Sequence, residues 1–88
     1  MTRIRTIKIG NYYKHFKGYL CKVIDIVYDS ESNNDEELKK VVVYEEQYGK
    51  HLKWARPYDM FNSLVDKNKY PNVKQKYRFQ EIKNVKNS

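Results

Sequence analysis

VVVYEEQYGKHLKWARPYDMF, residues 41–61, opens with the β-branched run Val41-Val42-Val43, which favours an extended, half-buried strand. Gly49 punctuates a turn. Beyond it come the single tryptophan, Trp54, the step Arg56-Pro57 and the pair Met60-Phe61. The stretch reads as strand, turn, strand and a short helical turn begun by Pro57, whose fixed φ suits the first helical position. The rest of the chain is expected to wrap around this hairpin. Val41 to Tyr44 is expected to be the central strand, and Trp54, Pro57, Met60 and Phe61 to anchor the core.

Working outward, Tyr19 to Tyr28 is the longest apolar-rich extended segment, and its pattern changes phase. Cys21 and Val23 share one parity, whereas Ile24, Ile26 and Tyr28 share the other, which predicts a β-bulge or strong coil near Val23. Between it and the hairpin, Asp29 to Glu37 has no apolar residue and is expected to be an exposed loop. Upstream, Ile7 and Ile9 alternate with Lys8 and suggest a short strand. Gly10 to Gly18, GNYYKHFKG, then places Tyr13, His15 and Lys17 on one face of an extended chain. Asn62 to Asn72 reads as loop with one helical turn. Val73 to Glu81 alternates apolar with basic residues as a last strand. These segments predict an all-β chain of five short, strongly bent strands, a pattern typical of small barrels, with a short helical turn after Trp54-Ala55-Arg56-Pro57.

Eighty-eight residues make one domain, 1–88, and a chain this short buries only about 60% of its unfolded surface. Nine tyrosines and three phenylalanines supply the bulk that the aliphatic content lacks. Residues 1–6 and 83–88 read as frayed ends. No apolar run approaches a membrane span and residues 1–11 lack the apolar stretch of a signal peptide, so a cytoplasmic protein with no membrane association is expected. Cys21 stands alone, which leaves no internal disulfide and no thiolate partner for zinc; no metal and no cofactor are assigned.

The net charge of +7 is unevenly spread. Residues 1–22 carry six basic and no acidic side chains, residues 23–66 five basic and ten acidic, and residues 67–88 seven basic and one acidic. Such basic ends attract nucleic acid or small polyanions. Lysine outnumbers arginine fourteen to four, which weakens a case for bidentate reading of base edges.

Catalysis finds little support, because the two histidines lie apart and the carboxylates concentrate in the exposed loop, where burial cannot raise a pKa; a non-enzymatic protein is expected. A binding module fits better. His15, Lys17 and Arg56 offer cationic or donor groups beside Tyr13, Tyr44, Tyr48 and Trp54, the combination that stacks a base while holding its phosphate. Most also have a structural alternative: Trp54 as core, Arg56 tied to Glu45 or Asp59, His15 as a satisfied strand histidine, Tyr44 and Tyr48 as barrel wall. The first reading is capture of a small nucleotide or other phosphate-bearing ligand, in a pocket shared between protomers of a homo-oligomer. Nucleic-acid binding through the basic ends and protein recognition through an aromatic groove are the alternatives.

The chain resembles the bacterial and phage family catalogued as domain of unknown function 1653. The resemblance rests on Gly10-Asn11-Tyr12 leading to His15-Phe16-Lys17-Gly18, on Ser30-Glu31-Ser32, Val42-Val43-Tyr44 with Tyr48-Gly49, Trp54-Ala55-Arg56-Pro57 with Met60-Phe61, and Arg78-Phe79. It covers about Lys8 to Ile82. It implies a small SH3-like barrel and a phage association but no function of its own; for a phage protein, the small-nucleotide reading would be, for example, sequestration of a host immune signalling nucleotide in the host cytoplasm. The chain departs from the family pattern at Cys21, where tyrosine is usual, and in a hairpin loop lengthened by Asn33 to Glu36.

Overall fold

The computed structural model describes residues 5–32 and 38–83. In chain order these form β1 (Tyr12–His15), β2 (Leu20–Tyr28), β3 (Lys40–Glu46), β4 (Lys53–Pro57), the helical turn α1 (Tyr58–Phe61) and β5 (Phe79–Ile82). The hairpin of residues 41–61 thus folds as strand, turn, strand and helical turn. Pro57 sits at the helix N-cap, one place earlier than expected.

All five strands join one antiparallel sheet in the order β4-β3-β2-β1-β5. The middle strand is β2, the nine-residue segment, and β3 lies beside it with both edges paired. The sheet is not closed. β4 ends at Pro57, which has no N–H to donate, and β5 is only four residues long, so the two edge strands share no ladder. Side chains meet across the gap instead, with the Arg56 guanidinium 5.4 Å from the centre of the Phe79 ring. The expected barrel is therefore an open, strongly curled sheet.

The phase change in β2 has its structural counterpart. Val23 pairs with Tyr44 and Asp25 with Val43, which leaves Ile24 as the extra residue of a bulge. Before it, Cys21 and Val23 face the core; after it, Ile26 packs against the same core.

Ile7, Tyr13, Cys21, Val23, Val42, Tyr44, Phe61 and Phe79 make up that core on the concave face. Phe61 is its hub, stacked on Phe79 at 4.1 Å between ring centres, with Tyr13 at 5.5 Å and Tyr44 at 5.3 Å. Of the four expected anchors Phe61 alone is buried. The four-residue helical turn buries Phe61 and packs Tyr58 against the core's edge but leaves Met60 exposed, and Trp54, on an edge strand, is 48% accessible.

Segments expected to be strand or frayed end are held differently. Ile7 and Ile9 are not in a strand: Ile7 is buried and Ile9 exposed, and backbone N–H groups here are taken by side chains. Ile7 donates to the Tyr58 hydroxyl at 2.9 Å and Lys8 to that of Tyr13 at 3.0 Å. Arg5 is tied in place by donating to Asn62 Oδ1 (2.6 Å) and to the Phe79 carbonyl (2.7 Å), its guanidinium 3.8 Å from the Tyr77 ring centre. Residues 1–4 and 84–88 of the expected frayed ends lie outside the described residues.

The last strand begins at Phe79, not at Val73. Side chains occupy the backbone groups that a ladder would need: Lys67 Nζ donates to the carbonyls of Val73 and Gln75, and Gln75 Nε2 donates to those of Lys14 and Tyr77. The predicted helical turn between Asn62 and Asn72 lies at Asp66–Tyr70, where the Tyr70 N–H donates to the Asp66 carbonyl at 2.8 Å. Of the Asp29 to Glu37 loop, residues 33–37 lie outside the described residues. Its root is fixed by Asp29, which accepts from the Glu31 N–H, and by Ser32, which accepts from the Lys39 N–H.

Candidate functional site

Pleating sends alternate residues to the same face, and on this curled sheet the concave face carries Tyr13 and His15 of β1, Cys21 and Val23 of β2, Val42 and Tyr44 of β3, and Phe79 of β5. At one end α1 presses Phe61 into it. At the other end the described residues place no such plug, and a cleft of about 410 Å³ remains, in the size range of small-molecule sites. Strand pairing assembles its rim from distant parts of the chain: Tyr44 lies opposite Trp54, Cys21 opposite Glu46, and His15 opposite Phe79.

Six of the seven residues singled out in the sequence line this cleft together: His15, Lys17, Tyr44, Tyr48, Trp54 and Arg56. The seventh, Tyr13, does not. It is fully buried beneath Phe61, with its hydroxyl engaged by Lys8, because position 13 lies two residues before His15 on the same strand face, where α1 fills the concave face. Tyr44 is both core and wall, and Trp54 is wall. The cleft also takes in Tyr19, Cys21, Glu46 and Phe79. Glu46 was legible in principle, since it follows Tyr44 by two residues on the same strand face. Tyr19 and Phe79 reach the cleft through a turn and a long-range pairing that no local pattern announces.

One wall is a chain of rings. Tyr48 and Tyr19 lie 5.8 Å apart between centres, Tyr19 and His15 6.0 Å, and His15 meets Phe79 edge to face at 4.9 Å. Lys17 rides the turn after β1, which Gly18 closes at φ +103°, a conformation that side chains other than glycine adopt at a cost. On the opposite wall Trp54 donates its indole N–H to Glu46 Oε1 at 2.8 Å, which fixes the indole plane beside the opening. Glu46 Oε2 accepts from the Leu52 N–H, so both carboxylate oxygens are engaged.

Arg56 is held by Tyr44 and Phe79 rather than by an acid. Its Nε donates to the Tyr44 hydroxyl over a long 3.4 Å, and its face lies over Phe79. The ties to Glu45 or Asp59 that the sequence left open are not formed: Glu45 pairs with Lys53 at 3.9 Å, and this is the one ion pair among the described residues. The guanidinium therefore brings a charge with no ion-pair partner among the described residues, and a planar donor fork, to a cleft that it shares with the Glu46 carboxylate.

His15 is not a cation here. Burial lowers its pKa to about 4, and Arg56, Arg78 and Lys17 push it the same way. The neutral ring accepts from the Lys17 N–H at Nδ1, which leaves Nε2 as the protonated nitrogen and a donor. Cys21 forms part of the floor, and its thiol is pushed up to about 12 by burial, so it stays protonated at neutral pH. Among the described residues no group of three or more His, Cys, Asp or Glu is placed to hold a metal ion. Among the described residues no helix is long and apolar enough to cross a membrane.

These features define a class: a small, open antiparallel β domain, sealed at one end of its concave face by an aromatic core and lined at the other by rings, the cations Lys17 and Arg56, and the Glu46 carboxylate. The chain belongs to the family described as protein of unknown function (DUF1653), whose model matches residues 11–81, from the start of β1 into β5. No curated protein and no solved structure matches it.

Proposed function

We propose that this protein is a non-catalytic binding module that captures a small nucleotide-like anion in the cleft between the β1–β2 turn and β4. The observation that carries this reading is the convergence of Arg56, free of any acidic partner among the described residues, with the rings of Trp54 and Tyr48 in one cleft. A base needs a ring to stack on and its phosphate needs a cation with donors, and stacking alone is worth about 1–3 kcal/mol per base. Lys17 and Arg56 serve the phosphate, Tyr48 or Trp54 the base, and neutral His15 donates a single hydrogen bond from Nε2. Tyr13 drops out of the ligand set and supports the site from below.

The polar groups of the cleft favour holding over reacting. The Glu46 carboxylate is occupied, the Cys21 thiol is protonated, and His15 is oriented by the chain itself. A protein that binds a signalling nucleotide without consuming it acts by lowering its free concentration, and this is the biological role proposed here.

A thermal-shift panel tests the reading, because a ligand that binds only the folded state raises the melting temperature. Mononucleotides and cyclic nucleotides are expected to raise it, with modest salt dependence. A rise confined to oligonucleotides, falling steeply with salt, would move the function to the basic ends.

A further inference from the structure

Behind Lys17 the structure holds a second, smaller cavity of about 230 Å³, lined by His15, Phe16, Lys17, Asp66, Tyr70 and Arg78 among others. His15 and Lys17 line both cavities, so the two adjoin at these side chains. The smaller volume falls below the roughly 300 Å³ from which small-molecule sites begin, so it suits part of a ligand rather than a whole one.

Its charge is the informative feature. Lys17 Nζ and Lys69 Nζ both lie 5.8 Å from the centre of the Tyr70 ring, so two ammonium groups converge on one side chain. Neither is within ion-pair distance of a carboxylate among the described residues. Asp66, the acid of this cavity, turns its Oδ1 to the N–H groups of Asn68 and Lys69. Arg78 is aimed by a 3.2 Å hydrogen bond from its Nε to Ser63 Oγ, which leaves its terminal nitrogens free to donate. The two rings, Phe16 and Tyr70, are only 4.8 Å apart between centres and admit no base between them. The cavity is therefore built for an anion and not for a second ring.

We infer that this cavity is a second phosphate subsite, continuous with the cleft through Lys17, and that the captured nucleotide carries at least two phosphate groups, one met by Arg56 and the next by Lys17, Lys69 and Arg78. The inference rests on the nucleotide reading for the identity of the ligand, but not for the anion subsite. A monophosphate leaves the second set of cations unmatched, so affinity should increase from nucleoside monophosphate to diphosphate.

Two measurements on the full chain test it separately. First, inorganic pyrophosphate is titrated while amide NMR shifts are followed. Saturable shifts at Phe16, Lys17, Lys69, Tyr70 and Arg78 are expected, and an absence of shifts there overturns the subsite whatever the nucleotides do. Second, mono- and diphosphates of the common nucleosides are titrated by calorimetry into the parent and into Lys69→Ala, chosen because the Lys69 side chain is exposed, with the folding of the variant checked from its amide NMR spectrum. The diphosphate is expected to bind at least tenfold tighter than the monophosphate in the parent. Lys69→Ala should lose most of that gain and keep the monophosphate affinity. Equal affinities for the two in the parent overturn the two-phosphate assignment. If no nucleotide binds but pyrophosphate shifts those amides, the anion subsite stands and the nucleotide reading fails.

Discussion

The two ends of the concave face use the same kind of side chain for opposite purposes. At the α1 end, Tyr13, Phe61 and Phe79 pack ring against ring and exclude water. At the β4 end, Tyr19, Tyr48 and Trp54 stand open, between 43% and 52% accessible, around a cleft that also takes in Lys17, Arg56, Glu46 and Leu20. One four-residue helical turn makes the difference, because it delivers Phe61 to one end only. Aromatic content in a small chain is thus no guide to core size unless it is known which rings a covering element reaches.

The comparison breaks most readily at Phe61. Phe61→Ala removes the ring shared by Tyr13, Tyr44 and Phe79, and a loss of about 3–5 kcal/mol, a large share of a small domain's stability, is expected in chemical denaturation. Trp54→Ala should stay within about 0.5 kcal/mol of the parent in the same assay, as surface changes do. In nucleotide binding the order reverses. Trp54→Ala is expected to lose about 1–3 kcal/mol of affinity by calorimetry, the worth of one stacked base. Arg56→Lys keeps the charge but not the planar fork, and a smaller fall of roughly tenfold at unchanged melting temperature is expected.

The pH dependence is smaller and its sign follows from His15. Its folded pKa, about 4, lies below the ordinary 6.5, so the unfolded chain takes up a proton first as pH falls. The stability gained from keeping His15 neutral is complete above about 6.5 and is lost as pH falls toward about 4. Equilibrium denaturation between these values should show a shallower loss for His15→Gln than for the parent. A bound anion beside Lys17 and Arg56 favours the imidazolium, so nucleotide binding should raise the His15 pKa and tighten as pH falls. NMR titration of the His15 ring with and without ligand measures that shift.

Local chemistry made much of this legible. The β-branched run at Val41, the turn at Gly49 and the change of phase at Val23 announced the hairpin and the bulge, because each follows from side-chain periodicity along one strand. Six cleft residues were also recognisable as a set of rings and cations, although they come from four separate stretches of chain. What periodicity does not carry is which end of a face is covered. That is why the sequence points to Tyr13 as a site residue and leaves Trp54 open between core and site, whereas Tyr13 lies beneath Phe61 and Trp54 stands at the open end. Nor does it show when side chains take over backbone groups, as Gln75 and Lys67 do where a longer last strand was expected. The fold's failure to close was hidden for the same reason: β4 and β5 meet through Arg56 and Phe79, 23 residues apart, and not through a ladder.

Trp54 is the chain's single tryptophan and stands at the open end, so its fluorescence reports on the cleft alone. Titrating the protein with the nucleotide panel while following that emission asks whether the exposed rings and cations form a site. The expected result is a saturable change with at least one nucleotide, retained in Tyr48→Phe and weakened in Arg56→Lys, with no change in melting temperature between the ligand-free proteins. No saturable change with any nucleotide, or equal affinity in the parent and Arg56→Lys, would contradict the assignment of this cleft as a nucleotide site.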